Sequence, residues 1–118
     1  MAQSYRDLIV WQKAMDVVDT VYEVADAIPA NERFALRDQL VRAVISIPAN
    51  IAEGNRHGTR RDYAQFISIA RGSLAEVETY ILISTRRGYL NSERSEALLD
   101  SLDHLSRMLT NLRQRLLN

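Results

Sequence analysis

Ser46-Ile47-Pro48-Ala49-Asn50-Ile51-Ala52-Glu53-Gly54 is the stretch whose reading decides the fold of this 118-residue chain. It lies where a strongly helical pattern meets a proline, and it ends on a glycine. A proline inside a helix removes one backbone bond and clashes with the carbonyl four residues back, at a cost of roughly 3 kcal/mol. Two readings follow. A helix could end near Ile47 and restart with Pro48 as its first residue, which would make Ile47 a poor N-cap. Alternatively, one helix runs through with a kink and leaves the Val44 carbonyl without its donor. Gly54 then suits the left-handed residue just past the C-terminus. The continuous, kinked helix is preferred.

Upstream, this second helix has Asn31 as its expected N-cap. Its core row is Leu36, Leu40, Val44, Ile47 and Ile51, flanked by Phe34, Val41, Ile45, Pro48 and Ala52. The opposite row is polar: Gln39, Arg42, Ser46, Asn50 and Glu53. Before it, from Leu8 to Ile28, Leu8, Trp11, Met15, Val18, Tyr22 and Ala25 recur at steps of three and four, one continuous helical face. A second row, Val10, Val17, Val21, Val24 and Ile28, runs beside it, and Pro29 ends the segment.

Downstream, Asn55 to Gly58 read as a turn, and Thr59 caps a third helix with Asp62 three positions on. Tyr63, Ile67, Ala70, Leu74, Val77 and Ile81 form its core row, and Gly88 ends it. Asn91 or Ser92 caps a fourth helix with the row Leu98, Leu102, Leu105, Leu109, Leu112 and Leu116. A sustained 3.5-residue repeat predicts left-handed packing at crossing angles of about 20°. Four helices of about 20–30 residues joined by short connections must alternate direction, so the expectation is all-α: one antiparallel up-down-up-down four-helix bundle over residues 1–118.

Composition agrees. Apolar residues make up 47% and charged residues 25%, as in ordinary globular domains, and two prolines with four glycines leave little room for loops. The absence of cysteine removes disulfides and thiolate chemistry. Met1 to Asp7 is polar and no apolar run reaches about 18 residues, so the expectation is a cytoplasmic protein without a membrane span. A formal charge of zero argues against wholesale attraction to nucleic acid but leaves room for a local basic patch.

Counting outward from each turn pairs levels across the bundle. Arg71 falls near the carbonyl freed by Pro48, where it could donate, and Arg37 falls level with Glu78 as a candidate ion pair; two solvated charges pointing outward is the alternative. Trp11 lands beside Pro48 and Ala49 as a core or interface anchor. Val10, Val17, Val21 and Val24 on the first helix, with Ile69, Gly72, Tyr80 and Ile83 on the third, exceed the single apolar stripe that a bundle uses. They are the expected self-assembly interface, the alternative being a wider contact within the chain.

Catalytic groupings are scarce, and the expectation is a protein that is not an enzyme and needs no metal or cofactor. His57 and His104 share no obvious site, and Asp100 with His104 reads as a solvated face. Ser46, Asn50 and Glu53 resemble a buried polar network, with no base beside the serine. Chain direction gathers Arg6, Lys13, Arg56, Arg60, Arg61, Arg107, Arg113 and Arg115 toward one end, and Asp26, Glu32, Glu93, Glu96, Asp100 and Asp103 toward the other. Arginine suits bidentate phosphate contacts, so Arg56, Arg60, Arg61, Arg113 and Arg115 are the candidate RNA or DNA contacts.

Several strings also resemble a known family. Val10-Trp11-Gln12-Lys13-Ala14, Val21-Tyr22, Glu32-Arg33-Phe34 and Arg42-Ala43 look like its first half. Ser46 to Gly54 and Ala70-Arg71-Gly72-Ser73-Leu74-Ala75-Glu76 look like its two hallmark strings. This is the bacterial four-helix-bundle family named for open reading frames in 23S rRNA intervening sequences, which also includes the retroelement accessory variability determinant. The resemblance implies a cytosolic bundle assembling as a barrel-like homopentamer. Most members have no established molecular function, and the accessory members bind nucleic acid and a reverse transcriptase through strongly basic surfaces. This chain departs from those, with one lysine and no net charge. Two roles stay open: an oligomeric nucleic-acid-binding or accessory protein, and a protein-interaction scaffold without nucleic-acid contact.

Overall fold

The helix through Pro48 is unbroken. The computed structural model describes residues 4–118; Met1, Ala2 and Gln3, the start of the polar N-terminal stretch, lie outside the described residues. The long elements are α1 (Ile9–Ala25), α2 (Asp38–Arg56), α3 (Arg60–Arg86) and α4 (Ser92–Leu117), with no strand among the described residues. Each packs on its sequence neighbour, and α1 also packs on α4, which closes an up-down-up-down four-helix bundle. The molecule extends 43 × 25 × 21 Å, its long axis set by α3, whose 27 residues span roughly 40 Å.

Local chemistry explains most helix ends. Thr59 accepts from the Asp62 amide at 3.0 Å, and Asn91 accepts from the Arg94 amide at 2.8 Å. Each relieves one orphan donor at a helix start. Gly88, at φ +82°, closes α3. The Tyr89 amide reaches back to the Ser84 carbonyl at 2.9 Å and the Gly88 amide to Thr85 at 3.0 Å, the paired bonds of a Schellman ending. The approach to α2 differs from expectation. Asn31 does not cap it; a 3₁₀ turn (Ala30–Glu32) and a π-helical turn (Arg33–Arg37) lead into Asp38.

Gly54 is the main correction. It is not a left-handed cap: α2 continues to Arg56, and Gly88 alone among the described residues has positive φ. Its role is close approach. A Cβ at Gly54 would stand 2.8 Å from the Phe66 Cβ and 2.9 Å from the Tyr63 Cδ1 on α3. Two turns back along the same seam, the Ser46 and Ser73 hydroxyls hydrogen-bond to each other, and Asn50 Nδ2 donates to the Ser46 carbonyl at 2.8 Å. Pro48 lies buried on the flank of α2.

The core rows of α2, α3 and α4 are those read from the sequence. Leu40, Val44, Ile47, Ile51, Ile67, Ala70, Leu74, Val77, Ile81, Leu102, Leu105 and Leu109 are all essentially sealed from water. On α1 the bundle uses the other face. Val10, Ala14, Val17, Val21, Val24 and Ile28, spaced four-three-four-three-four, are buried, whereas of the neighbouring row only Val18 and Ala25 are buried, Met15 and Tyr22 are exposed, and Leu8 and Trp11 are half-buried. Val10, Val17, Val21 and Val24 are therefore core residues and not an assembly interface. Short side chains let α1 approach its neighbours, so the bulkier residues are displaced to the flank. Arg71 is exposed and, among the described residues, bonds to no α2 carbonyl. Arg37 pairs with Asp26 at 3.2 Å instead of Glu78. The π turn carries more than 3.6 residues, which rotates Arg37 away from the position an α-helical count assigns it.

Gly54→Ala is expected to lower the free energy of unfolding by about 1–3 kcal/mol, as overpacking does, although alanine is the better helix former. Urea denaturation followed by circular dichroism measures it. An alanine variant as stable as the parent would mean that the two helices are not so close.

Candidate functional site

Antiparallel chain direction brings the start of α1, the α2–α3 turn and the end of α4 to one end of the bundle. The first piece is a 3₁₀ turn, Tyr5–Asp7, closed by a capping box between Ser4 and Asp7. Gln12 ties it to α1 by donating to the Arg6 carbonyl at 2.9 Å, and the Tyr5 ring meets Trp11 edge-on at 5.4 Å. The Arg6 and Arg56 guanidinium groups lie over that ring at 5.7 and 5.9 Å. Such stacks carry a cation on an apolar support and leave its outer face wet. At the α2–α3 turn, His57 packs on Phe66 with centroids 4.7 Å apart, an explanation of this histidine by packing.

The five arginines named as phosphate contacts do not behave alike. Arg60 donates to the Arg115 carbonyl and, at 3.2 Å, to the Leu116 carbonyl. It therefore caps the open C-terminus of α4 across the chain, where carbonyls lack intrahelical partners. Arg113 is half-buried and donates to Ser68 at 2.7 Å. Arg56, Arg61 and Arg115 are exposed. Near Arg115, burial pushes the Tyr63 hydroxyl above its ordinary range, opposed by a hydrogen bond with Asn55 and by the Arg115 charge. An open trough of about 400 Å³ beside this end runs from Asp7, Leu8 and Ile9 to Met108, Leu112 and Arg115.

The charge contrast between ends is weaker than the sequence suggests. Arg107 and Asp103, expected at opposite ends, are one turn apart on α4 and pair with each other. At the far end Asp26 is engaged by Arg37, and Glu32 accepts from the Tyr89 hydroxyl at 2.9 Å. Arg33, Arg86, Arg87 and Arg94 share that end, so it is mixed rather than acidic. Asp100 and His104 line a groove with Lys13, Asp16 and Thr20. No group of three or more metal-ligating side chains occurs among the described residues. No described helix is long and apolar enough to cross a membrane. The Ser46 hydroxyl is engaged by Ser73, a partner that the sequence reading missed although Ser73 stands in the quoted α3 string. Glu53 is exposed.

The flanks carry more apolar surface than the end. Met15 and Tyr22 on α1, Ile45 on α2 and Phe34 in the π turn that precedes α2 are exposed, Phe34 as much as 78%. On α3, Ile69, Leu82 and Ile83 are exposed and Tyr80 is half-buried. Of the expected interface, only the α3 members lie at the surface.

Residues 6–111 match the family model described as 23S rRNA-intervening sequence protein. The chain is similar to the crystal structure of a protein with unknown function from the S23 ribosomal protein family of Bacteroides thetaiotaomicron. That likeness has a TM-score of 0.82 at 21% identity and covers 89% of this chain and 98% of the other. It concerns the fold. No curated protein matches.

One titration is testable here. Burial first, and the Asp103 carboxylate second, raise the Glu78 carboxyl above its usual range. A raised acid binds its proton more tightly when folded, so ionised Glu78 opposes folding at neutral pH. That penalty disappears below the unfolded value of about 4.3. Glu78→Gln is expected to melt at a higher temperature than the parent at pH 7, with the difference closing as pH falls toward 4. Scanning calorimetry across that range checks it.

Proposed function

The chain belongs to the 23S rRNA-intervening sequence protein family, and we propose that it acts in the cytoplasm as a self-assembling bundle without a catalytic step. In this role it presents an arginine-bearing end to the phosphates of RNA or DNA. The observation that supports this most is the convergence of Arg6, Arg56, Arg61 and Arg115 from three chain segments on one end, Arg6 and Arg56 lying over the Tyr5 ring. With no net charge on the chain, attraction would be local and weak for one copy. Assembly answers that. Copies held side by side would repeat the basic end around a ring, and weak phosphate contacts would add through effective concentration. A homopentamer is what the family resemblance implies. The contact set is Arg56, Arg61 and Arg115, while Arg60 and Arg113 hold α4 in place.

A second role, a protein-interaction scaffold that never touches nucleic acid, draws support from the exposed apolar flanks, Phe34 above all. Titrating labelled RNA and DNA at two salt concentrations separates the two. Phosphate binding should weaken as salt rises, with a logarithmic slope of about −0.7 per contact for single strands and −0.9 for duplex. The Arg56→Ala/Arg61→Ala/Arg115→Ala variant should flatten that slope while remaining folded. Binding that ignores salt, or none at all, leaves the scaffold role.

A further inference from the structure

We propose that the outer groove between α1 and α2 receives the outer stripe of α3 from a second copy of this chain, a head-to-tail contact. This deepens the self-assembly proposed above and rests on it. The groove, about 650 Å³, has Tyr22, Val41 and Ile45 as its apolar surface and Arg33, Arg37, Asp38 and Arg42 around it. Tyr22 and Ile45 are 48% and 43% exposed, so little in the chain itself fills the groove. Asp26 holds Arg37. Arg33 lies over the Phe34 ring, and neither Arg33 nor Arg42 has an acidic partner among the described residues.

The α3 stripe is complementary. Ile69, Gly72, Glu76, Tyr80 and Ile83 follow steps of three and four and so share one face. Ile69 and Ile83 are exposed, and the Glu76 carboxylate between them has no partner among the described residues. A carboxylate set within apolar residues fits an apolar groove edged by arginines. Gly72 supplies an independent observation. A glycine within a helix costs stability relative to alanine, and at Gly54 the packing of α3 explains it. At Gly72 an added Cβ would meet nothing within 4 Å. The chain alone has no use for this glycine; a partner whose surface approaches the α3 backbone does.

Groove and stripe are different surfaces of one chain, so the contact is heterologous and propagates from copy to copy until it closes. That property is the test. Ile45→Arg spoils the groove and keeps the stripe; Ile69→Arg spoils the stripe and keeps the groove. Both positions are partly open to water, and circular dichroism verifies that both variants fold. By sedimentation equilibrium the parent should be oligomeric and each variant monomeric. An equimolar mixture should give a one-to-one dimer and nothing larger. Gly72→Ala should weaken assembly about tenfold or more while leaving the melting temperature of the dilute chain equal or higher. If the parent assembles but either variant assembles equally well, this docking is wrong and self-assembly stands. A mixture that stays monomeric, or runs to larger species, also overturns it. A parent that is monomeric at every concentration removes both.

Discussion

The absence of a side chain at Gly54 is the constraint on which the rest of this structure depends. α2 is a poor helix by composition, carrying an internal proline and an internal glycine whose combined propensity cost is about 4 kcal/mol relative to alanine. It survives as one helix because tertiary burial, rather than propensity, supplies most helical stability. Leu40, Val44, Ile47 and Ile51 are fully buried along it. The same glycine admits the Tyr63 and Phe66 side chains to the α2 backbone, and the Ser46–Ser73 hydrogen bond fastens the seam two turns further on. With α2 and α3 so locked, the turn between them is fixed, and with it the end of the bundle where Arg56 and Arg61 stand.

The bundle itself was legible because the core rows of α3 and α4 keep a strict heptad spacing, and leucine at every position of the α4 row leaves no rival face. α1 was harder to read. Its true row passes through Ala14, which carries too little hydrophobic weight to stand out beside Trp11 and Met15. Periodicity reports apolar faces but not which of two neighbouring faces lies inward. Helix propensities likewise assign Gly54 to a C-cap, since close approach between helices leaves no local signature. The π turn at Arg33–Arg37 was invisible for the same reason, and it undid the pairing of Arg37 with Glu78.

The basic end was legible in outline and not in detail. Chain direction alone gathers its arginines, yet Arg60 acts on the carbonyls of α4 and Arg113 on Ser68. Counting cations by position overstates the charge that a ligand would meet, because the open carbonyls of a helix C-terminus also attract arginine. What remains for a partner is a smaller set at the end, and on the flanks an apolar surface that four helices do not consume. End and flank are separate, so copies joined at their flanks would keep their ends free.

The closest single test of the α2–α3 approach is a nuclear Overhauser experiment on the labelled protein. Strong cross-peaks between the Gly54 α-protons and the Tyr63 ring protons are expected, together with helical couplings and shifts at Gly54 continuing to Arg56. No cross-peak, or a left-handed Gly54 that ends the helix, would contradict the packing on which both the fold and the placement of the basic end rest.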